Sequence, residues 1–302
     1  MTIDISKIGV VGATSNFEVT KERIIAYALA TNDEISDHLE GQYASPVFAV
    51  APMWEALMGA VTNMVDDADI FSIVHGEQDM FFYSKILPGD KLVSEVTPIG
   101  LVVKPSGSIL NLLTTTSTES GELRNKQVVS FFFRGISEGE SSGEPAPKHR
   151  FTSAHRKMTN LGEVSSDLKA DQTFLYSKAS GDDMPIHLDD DFAKSVGLPG
   201  IIIHGLCTMA ISNSAVLKTV ANLKDYEGLE LSRLAVRFSR FVLPGETITT
   251  VSYDNDEPND QHAAITNYLE TPEAKKTVVF ETQNADEQTV LKDGRAEFVG
   301  KG

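Results

Sequence analysis

The chain repeats itself, and that narrows its fold more than any other feature. Tyr83-Ser-Lys-Ile-Leu-Pro-Gly-Asp90 is answered by Phe238-Ser-Arg-Phe-Val-Leu-Pro-Gly-Glu246, with one extra residue before the Leu-Pro-Gly. Tyr27-Ala-Leu-Ala-Thr-Asn-Asp33 has the spacing of Tyr176-Ser-Lys-Ala-Ser-Gly-Asp182, and His38 follows Asp33 by the interval at which His187 follows Asp182. Two copies of one unit account for this, and 302 residues suit two units of about 150.

Each copy has one apolar helix followed by several strands. The first helix is predicted over about Pro52–Met64, with Trp54, Leu57, Met58 and Val61 at helical spacing, and the second over about Gly205–Val220. Strands are predicted at Ser72–Ile86, Lys91–Leu101, Ser108–Thr116 and Gln127–Arg134. In the second copy they are predicted at Leu231–Phe241, Thr247–Tyr253, Ala263–Leu269, Thr277–Thr282 and Gln288–Val299. Alternation such as Thr247-Ile-Thr-Thr-Val-Ser-Tyr253 fits a sheet with one covered face. The expectation is an α+β chain with units at residues 1–136 and 151–302. The segment 137–150, which begins Ser137-Glu-Gly-Glu-Ser-Ser-Gly-Glu-Pro-Ala-Pro147, is too poor in apolar residues to pack and reads as a linker.

Chemistry is legible in one place. Asp182 and His187 lie five positions apart with Pro185 between them, so no regular helix carries both. They sit on a bend, and both can point into one cleft. His204-Gly205 follows and opens the second predicted helix, whose first N–H groups and positive dipole end suit a developing oxyanion. Either residue alone would read as an Asx turn or a structural histidine, and His204 reads as a packing residue at the helix start.

Tyr176, Ser180, Gly181, Asp182, Pro185, Ile186, His187, His204 and Gly205 resemble the signature of type 2, R-specific enoyl-CoA hydratases within the MaoC-like dehydratases. Met184 stands where that pattern has Asn. The resemblance implies a double hot-dog fold and a hydro-lyase acting on trans-2-enoyl-CoA or the matching acyl carrier protein thioester; no cofactor is expected, and the histidines have no metal-ligand spacing, so no metal is expected either. It implies that Asp182 and His187 hold the catalytic water and that the Gly205 amide polarises the thioester carbonyl. Tyr176, Gly181 and Met184 are candidate substrate contacts. Lys85 and Arg240, with Lys178 and Arg237, are candidates for the coenzyme A phosphates. The alternatives are a hot-dog thioesterase and a non-catalytic acyl-CoA-binding subunit.

The first copy is expected to be silent and to shape the acyl pocket. Aligning Pro46 with Pro199 puts Pro52, which has no N–H, opposite Gly205, while Asn32 and Ser36 replace Gly181 and Pro185. Asp33 and His38 then read as ordinary solvated residues.

A net charge of −17 argues against nucleic acid or an anionic membrane as partner. No run reaches the ~18 apolar residues of a membrane helix. The start lacks a basic targeting region and the end lacks Ser-Lys-Leu, so a cytoplasmic location is expected, and the helical and sheet-edge surfaces a double hot-dog exposes make a homodimer the expected assembly. Cys207, alone in an apolar helix, reads as a packed thiol. Ile8-Gly-Val-Val-Gly-Ala-Thr14 lacks the third glycine of a nucleotide-binding turn.

Overall fold

The computed structural model describes residues 3–65, 73–137, 139–255, 268–269 and 273–300. The first half runs β1 (Ala13–Glu18), α1 (Lys21–Ala30), α2 (Ser36–Leu39), α3 (Val50–Thr62), β2 (Ile73–Phe82), β3 (Lys91–Lys104), β4 (Gly107–Thr118) and β5 (Leu123–Arg134). A two-residue strand, β6 (Ser142–Gly143), follows. The second half is β7 (Asn160–Asp167), α4 (Gln172–Ser180), α5 (Asp190–Ser195), α6 (Gly205–Val220), β8 (Leu229–Phe238), β9 (Thr247–Asp254), β10 (Lys276–Asn284) and β11 (Thr289–Gly300).

The described strands join one antiparallel sheet, ten of them in the order β1-β3-β4-β5-β2-β8-β11-β10-β9-β7, with β6 pairing on β3 off this path. Read outward from the β2–β8 seam, the halves show the same topology, as a double hot-dog requires. α3 buries Val50, Met53, Leu57 and Val61 in the core; α6, with the bounds read from the sequence, buries Leu206, Cys207, Met209, Ile211 and Val216. Cys207 is a fully buried thiol whose pKa burial raises. β8 ends three residues before the predicted Phe241, ahead of the Leu-Pro-Gly turn, where Gly245 takes φ +83°. The predicted strand Ala263–Leu269 lies outside the described residues except for Tyr268 and Leu269, which are not in a strand.

The seam is register-locked from Glu77↔Arg237 to Phe81↔Arg233. There Arg233, fully buried, donates to both carboxylate oxygens of Asp79 at 2.9 and 2.7 Å and to Glu297 at 3.0 Å. A buried charge is tolerable only when paired in this way.

The linker expectation is corrected. β6 pairs with Gly100 and Leu101 of β3, and Glu144 N–H donates to the Ile99 carbonyl at 2.7 Å. A Cβ on Gly100 would sit 2.1 Å from the Glu144 carbonyl oxygen, so only glycine admits the approach. Ala146 packs beside Ile99, Leu113 and Val128, and Arg233 reaches the Lys148 carbonyl at 3.3 Å. The segment is held by backbone and carbonyl hydrogen bonds, which side-chain composition does not reveal.

Candidate active site

α4 stops at Gly181, whose φ of +85° is open to glycine at little cost. The chain then bends through Asp182 into a 3-10 turn, Pro185–His187, with Pro185 at its first position, where the missing N–H costs nothing. Met184 N–H donates to the Asp182 carboxylate at 3.2 Å, an Asx turn that fixes the side chain.

His187 Nδ1 lies 2.8 Å from the Ile202 carbonyl, which can only accept. The proton is therefore on Nδ1, and Nε2 keeps its lone pair. His204, the N-cap of α6, directs Nε2 to the Asp182 backbone carbonyl at 3.1 Å. Its ring stacks on His187 with centroids 3.8 Å apart and packs on Tyr176 at 4.8 Å. Asp182, His187 and His204 are all buried, and each offers a donor atom within 4.8 Å of the others. Near-parallel imidazoles at that spacing cannot aim their in-plane lone pairs at one point ~2.1 Å away, so the cluster suits proton transfer better than tetrahedral metal coordination.

Burial dominates the electrostatics. It raises the Asp182 carboxyl from 3.8 to about 7, against the lowering effect of the Met184 N–H. It lowers His187 to about 4, and it holds His204 far below the usual imidazole range with help from the neighbouring His187. At neutral pH both rings are uncharged and Asp182 is poised between its two states.

Gly205 is the first residue of α6, a position whose N–H has no partner within the helix. A Cβ there would come within 3.0 Å of the Phe238 ring, so the glycine lets that ring lie against the helix start. Neither the Phe238 contact nor the Ile202 carbonyl was anticipated from sequence. Only the repeat, which places Phe238 opposite Tyr83, singled out that position.

The remaining candidates divide. Met184 is half-buried beside the Asp182 carboxylate, and Gly181 shapes the bend. Tyr176 is fully buried, so it underlies His204 rather than facing a substrate. Arg240 is exposed on the loop whose Val242 carbonyl accepts Ile203 N–H at 2.8 Å, next to His204. Lys85 sits over the Tyr43 ring at 3.9 Å and 3.5 Å from Glu230; Tyr43 packs on His38, which places Lys85 by the first-half pair. Arg237 pairs with Glu77 at 3.5 Å, and Lys178 is exposed.

The first-half pair is not solvated. Asp33 and His38 are buried and joined, Nδ1 to Oδ2, at 2.8 Å. Asn32 takes φ +50°, so the bend resembles that at Gly181 despite the substitution. The oxyanion donor is absent for another reason than expected. Pro52 is the third residue of α3, and Val50 is the first. The Val50 N–H turns back onto the 3-10 turn Pro46–Ala49, toward the Phe48 and Val47 carbonyls. Asp33→Asn and His38→Gln should therefore leave turnover within about threefold. Each should lower stability by ~1–3 kcal/mol, the cost of stranding a buried partner, read as a drop in melting temperature. One cleft, about 430 Å³, lies beside this half, between Asn32–Glu34, β7 and α6, and none of Asp182, His187 or Gly205 lines it. Its lining includes Asp33 but not His38, and no helix start.

Two family descriptions match in tandem: an MFE-2 hydratase 2 N-terminal domain over residues 17–135 and a MaoC like domain over residues 146–275. The chain belongs to the MaoC-like dehydratase family. A probable enoyl-CoA hydratase 2 of Dictyostelium discoideum is 28% identical over 261 residues, covering 83% of this chain and 87% of the relative. A 3-hydroxyacyl-thioester dehydratase Y of Mycobacterium tuberculosis is 28% identical and aligned over 99% of both chains. The solved MaoC-like dehydratase of Phytophthora capsici superposes with a TM-score of 0.79 over 99% of this chain and 100% of that one, at 21% identity. That likeness is one of fold, and it matches the tandem arrangement of this MaoC-like chain.

Proposed function

We propose that this MaoC-like chain adds water to trans-2-enoyl-CoA to give (3R)-3-hydroxyacyl-CoA and catalyses the reverse dehydration. The supporting observation is the pairing of an Asp182 carboxyl raised to about 7 with a His187 whose Nδ1 proton is committed to Ile202, next to the start of α6. The R stereochemistry rests on the family resemblance.

In hydration, a water held between ionised Asp182 and the Nε2 lone pair of His187 attacks C3. Asp182, the stronger base of the two, takes the water's proton as the C3–O bond forms. The C2=C3 π electrons pass to the thioester oxygen, where the Gly205 N–H and the helix dipole meet the charge. Protonated Asp182 then returns the proton to C2 as the enolate collapses. Reversal uses the same ionised carboxylate to remove the C2 proton.

Crotonyl-CoA tests this directly. Loss of enoyl absorbance without thiol release is the expected result. Thiol release would indicate a thioesterase, and binding with neither change an inert acyl-CoA subunit. The edge strands β1 and β7 end the sheet path among the described residues, and open edges favour self-association, so the proposal includes a homodimer, read by sedimentation. No helix among the described residues is long and apolar enough to cross a membrane.

Met184 supplies a thioether where an amide would offer a donor. Met184→Asn should hold or raise kcat on crotonyl-CoA, by up to the ~1–3 kcal/mol of a charge-assisted hydrogen bond. If the thioether packs on bulky acyl groups, the same change raises KM for those substrates alone. Unchanged kinetics on short and bulky substrates would show that the side chain has neither role.

A further inference from the structure

A row of rings crosses the seam and ends at the oxyanion glycine. Phe131 on β5 stands in register opposite His75 on β2, with ring centroids 5.2 Å apart. His75 in turn meets Phe238 on β8 edge-to-face at 4.7 Å, and Phe238 covers the position a Gly205 Cβ would take, at 3.0 Å. Phe131 is buried, whereas His75 and Phe238 keep part of their surface open.

The imidazole is held by an unusual investment of buried polar groups. Gln127 Nε2 donates to the Ala49 carbonyl at 2.9 Å, which fixes its amide and turns Oε1 toward Gln78. Gln78 Nε2 donates to that oxygen at 2.6 Å, so Gln78 Oε1 must accept from His75 Nε2, 3.0 Å away. Residues three apart on a strand ordinarily face opposite sides. The register shift between His75 and Glu77 is a bulge at Gly76 that puts His75 and Gln78 on one face. Both glutamines are fully buried, and each polar end is matched along the chain. Core packing alone would be met by an apolar residue at 75; the bulge and two glutamines set the plane of one partly buried ring.

We infer that His75, contributed by the half without an open acid–base pair, is a specificity-determining residue. With Phe238 it forms the wall on which the acyl group beyond the reacting double bond lies, and it selects flat, unsaturated or aromatic acyl groups over saturated aliphatic ones. The inference rests on the proposed hydration at Asp182, His187 and Gly205. Edge-to-face contacts of this kind discriminate by about two- to tenfold.

The test compares kcat/KM for cinnamoyl-CoA, trans-2-octenoyl-CoA and crotonyl-CoA in the full chain and in two variants. In His75→Leu the cinnamoyl-to-octenoyl ratio should fall about two- to tenfold, through KM, while kcat on crotonyl-CoA stays within about twofold. His75→Phe, which restores a ring, should keep the ratio. If His75→Leu does not fold, Gln78→Met, which frees the imidazole without removing it, should move the ratio the same way. An unchanged ratio, or an equal loss on all three substrates, overturns the assignment. A parent that hydrates none of the three overturns the hydration reading instead. The dissociation constants of 3-phenylpropanoyl-CoA and octanoyl-CoA, neither of which can be hydrated, then carry the same comparison and decide the wall separately.

Discussion

Asp182→Asn is expected to lower kcat for crotonyl-CoA hydration by ~10³, within the range general acid–base groups contribute, and to stabilise the protein at pH 8. Both effects have one origin. The carboxyl is buried, and its pKa is raised from 3.8 to about 7. Below pH ~4 it is neutral in the folded and unfolded chain alike. Between pH ~4 and about 7 the unfolded chain ionises while the folded one holds its proton, so stability falls as pH rises across that window. Above it the cost of the buried carboxylate is complete, ~4 kcal/mol on the scale of ~1.4 kcal/mol per unit. Asn keeps the oxygen that accepts from Met184 N–H and has no such cost. The variant should therefore melt several degrees above the parent at pH 8 and level with it at pH 4. His187→Gln should cost ~10²-fold in kcat with little change in melting at either pH, because it removes the Nε2 lone pair without removing a charge. Near-native turnover in either variant, or a stability gap for Asp182→Asn that persists at pH 4, would show that the pair is not the acid–base machinery described.

What the sequence discloses is local. The bend at Gly181, the proline-started turn before His187 and the start of α6 at Gly205 each follow from one residue's backbone preference, and each stands where the residues place it. The repeat carried the topology, because two strings of equal spacing can only build equal units. The features missed depend on partners far along the chain. The burial of Asp33 and His38 follows from how the first half packs. The loss of the α3 donor follows from a 3-10 lead-in rather than from Pro52. The docking of residues 141–148 depends on carbonyl groups that no side-chain pattern encodes. The row from Phe131 to Gly205 needs a bulge, a seam and a crossing between halves at once.

The two halves also meet through a matched pair. Tyr27 and Tyr176 occupy equivalent places in the repeat, and their hydroxyls lie 3.3 Å apart, both fully buried. Tyr27 donates to the Val47 carbonyl at 3.1 Å, which leaves its oxygen to accept from Tyr176. The Tyr176 ring in turn supports His204, so the floor of the second-half cluster is anchored in the first half. The first copy, whose Asp33 and His38 bond to each other, thus still has a structural role in the second: it braces the floor beneath His204.

Gly205 separates the donor from the space around it, and two substitutions there should differ by ~10²–10³ in kcat. Gly205→Ala keeps the N–H and adds a Cβ 3.0 Å from the Phe238 ring. That ring is half-buried and meets the Cβ with its edge carbons, so it can yield by a few tenths of an ångström, and a loss of about tenfold or less is expected. Gly205→Pro carries the same Cβ and is tolerated by the backbone, because it stands at the first helical position after a residue with φ −57° and ψ 132°. It removes the N–H. If the helix-start amide takes the charge of the enolate, the proline variant should lose a further ~10²–10³ in kcat relative to alanine, the usual cost of deleting one oxyanion donor, while binding of saturated butanoyl-CoA changes far less. Equal turnover in the alanine and proline variants would mean that the donor lies elsewhere and that the glycine serves only to seat Phe238.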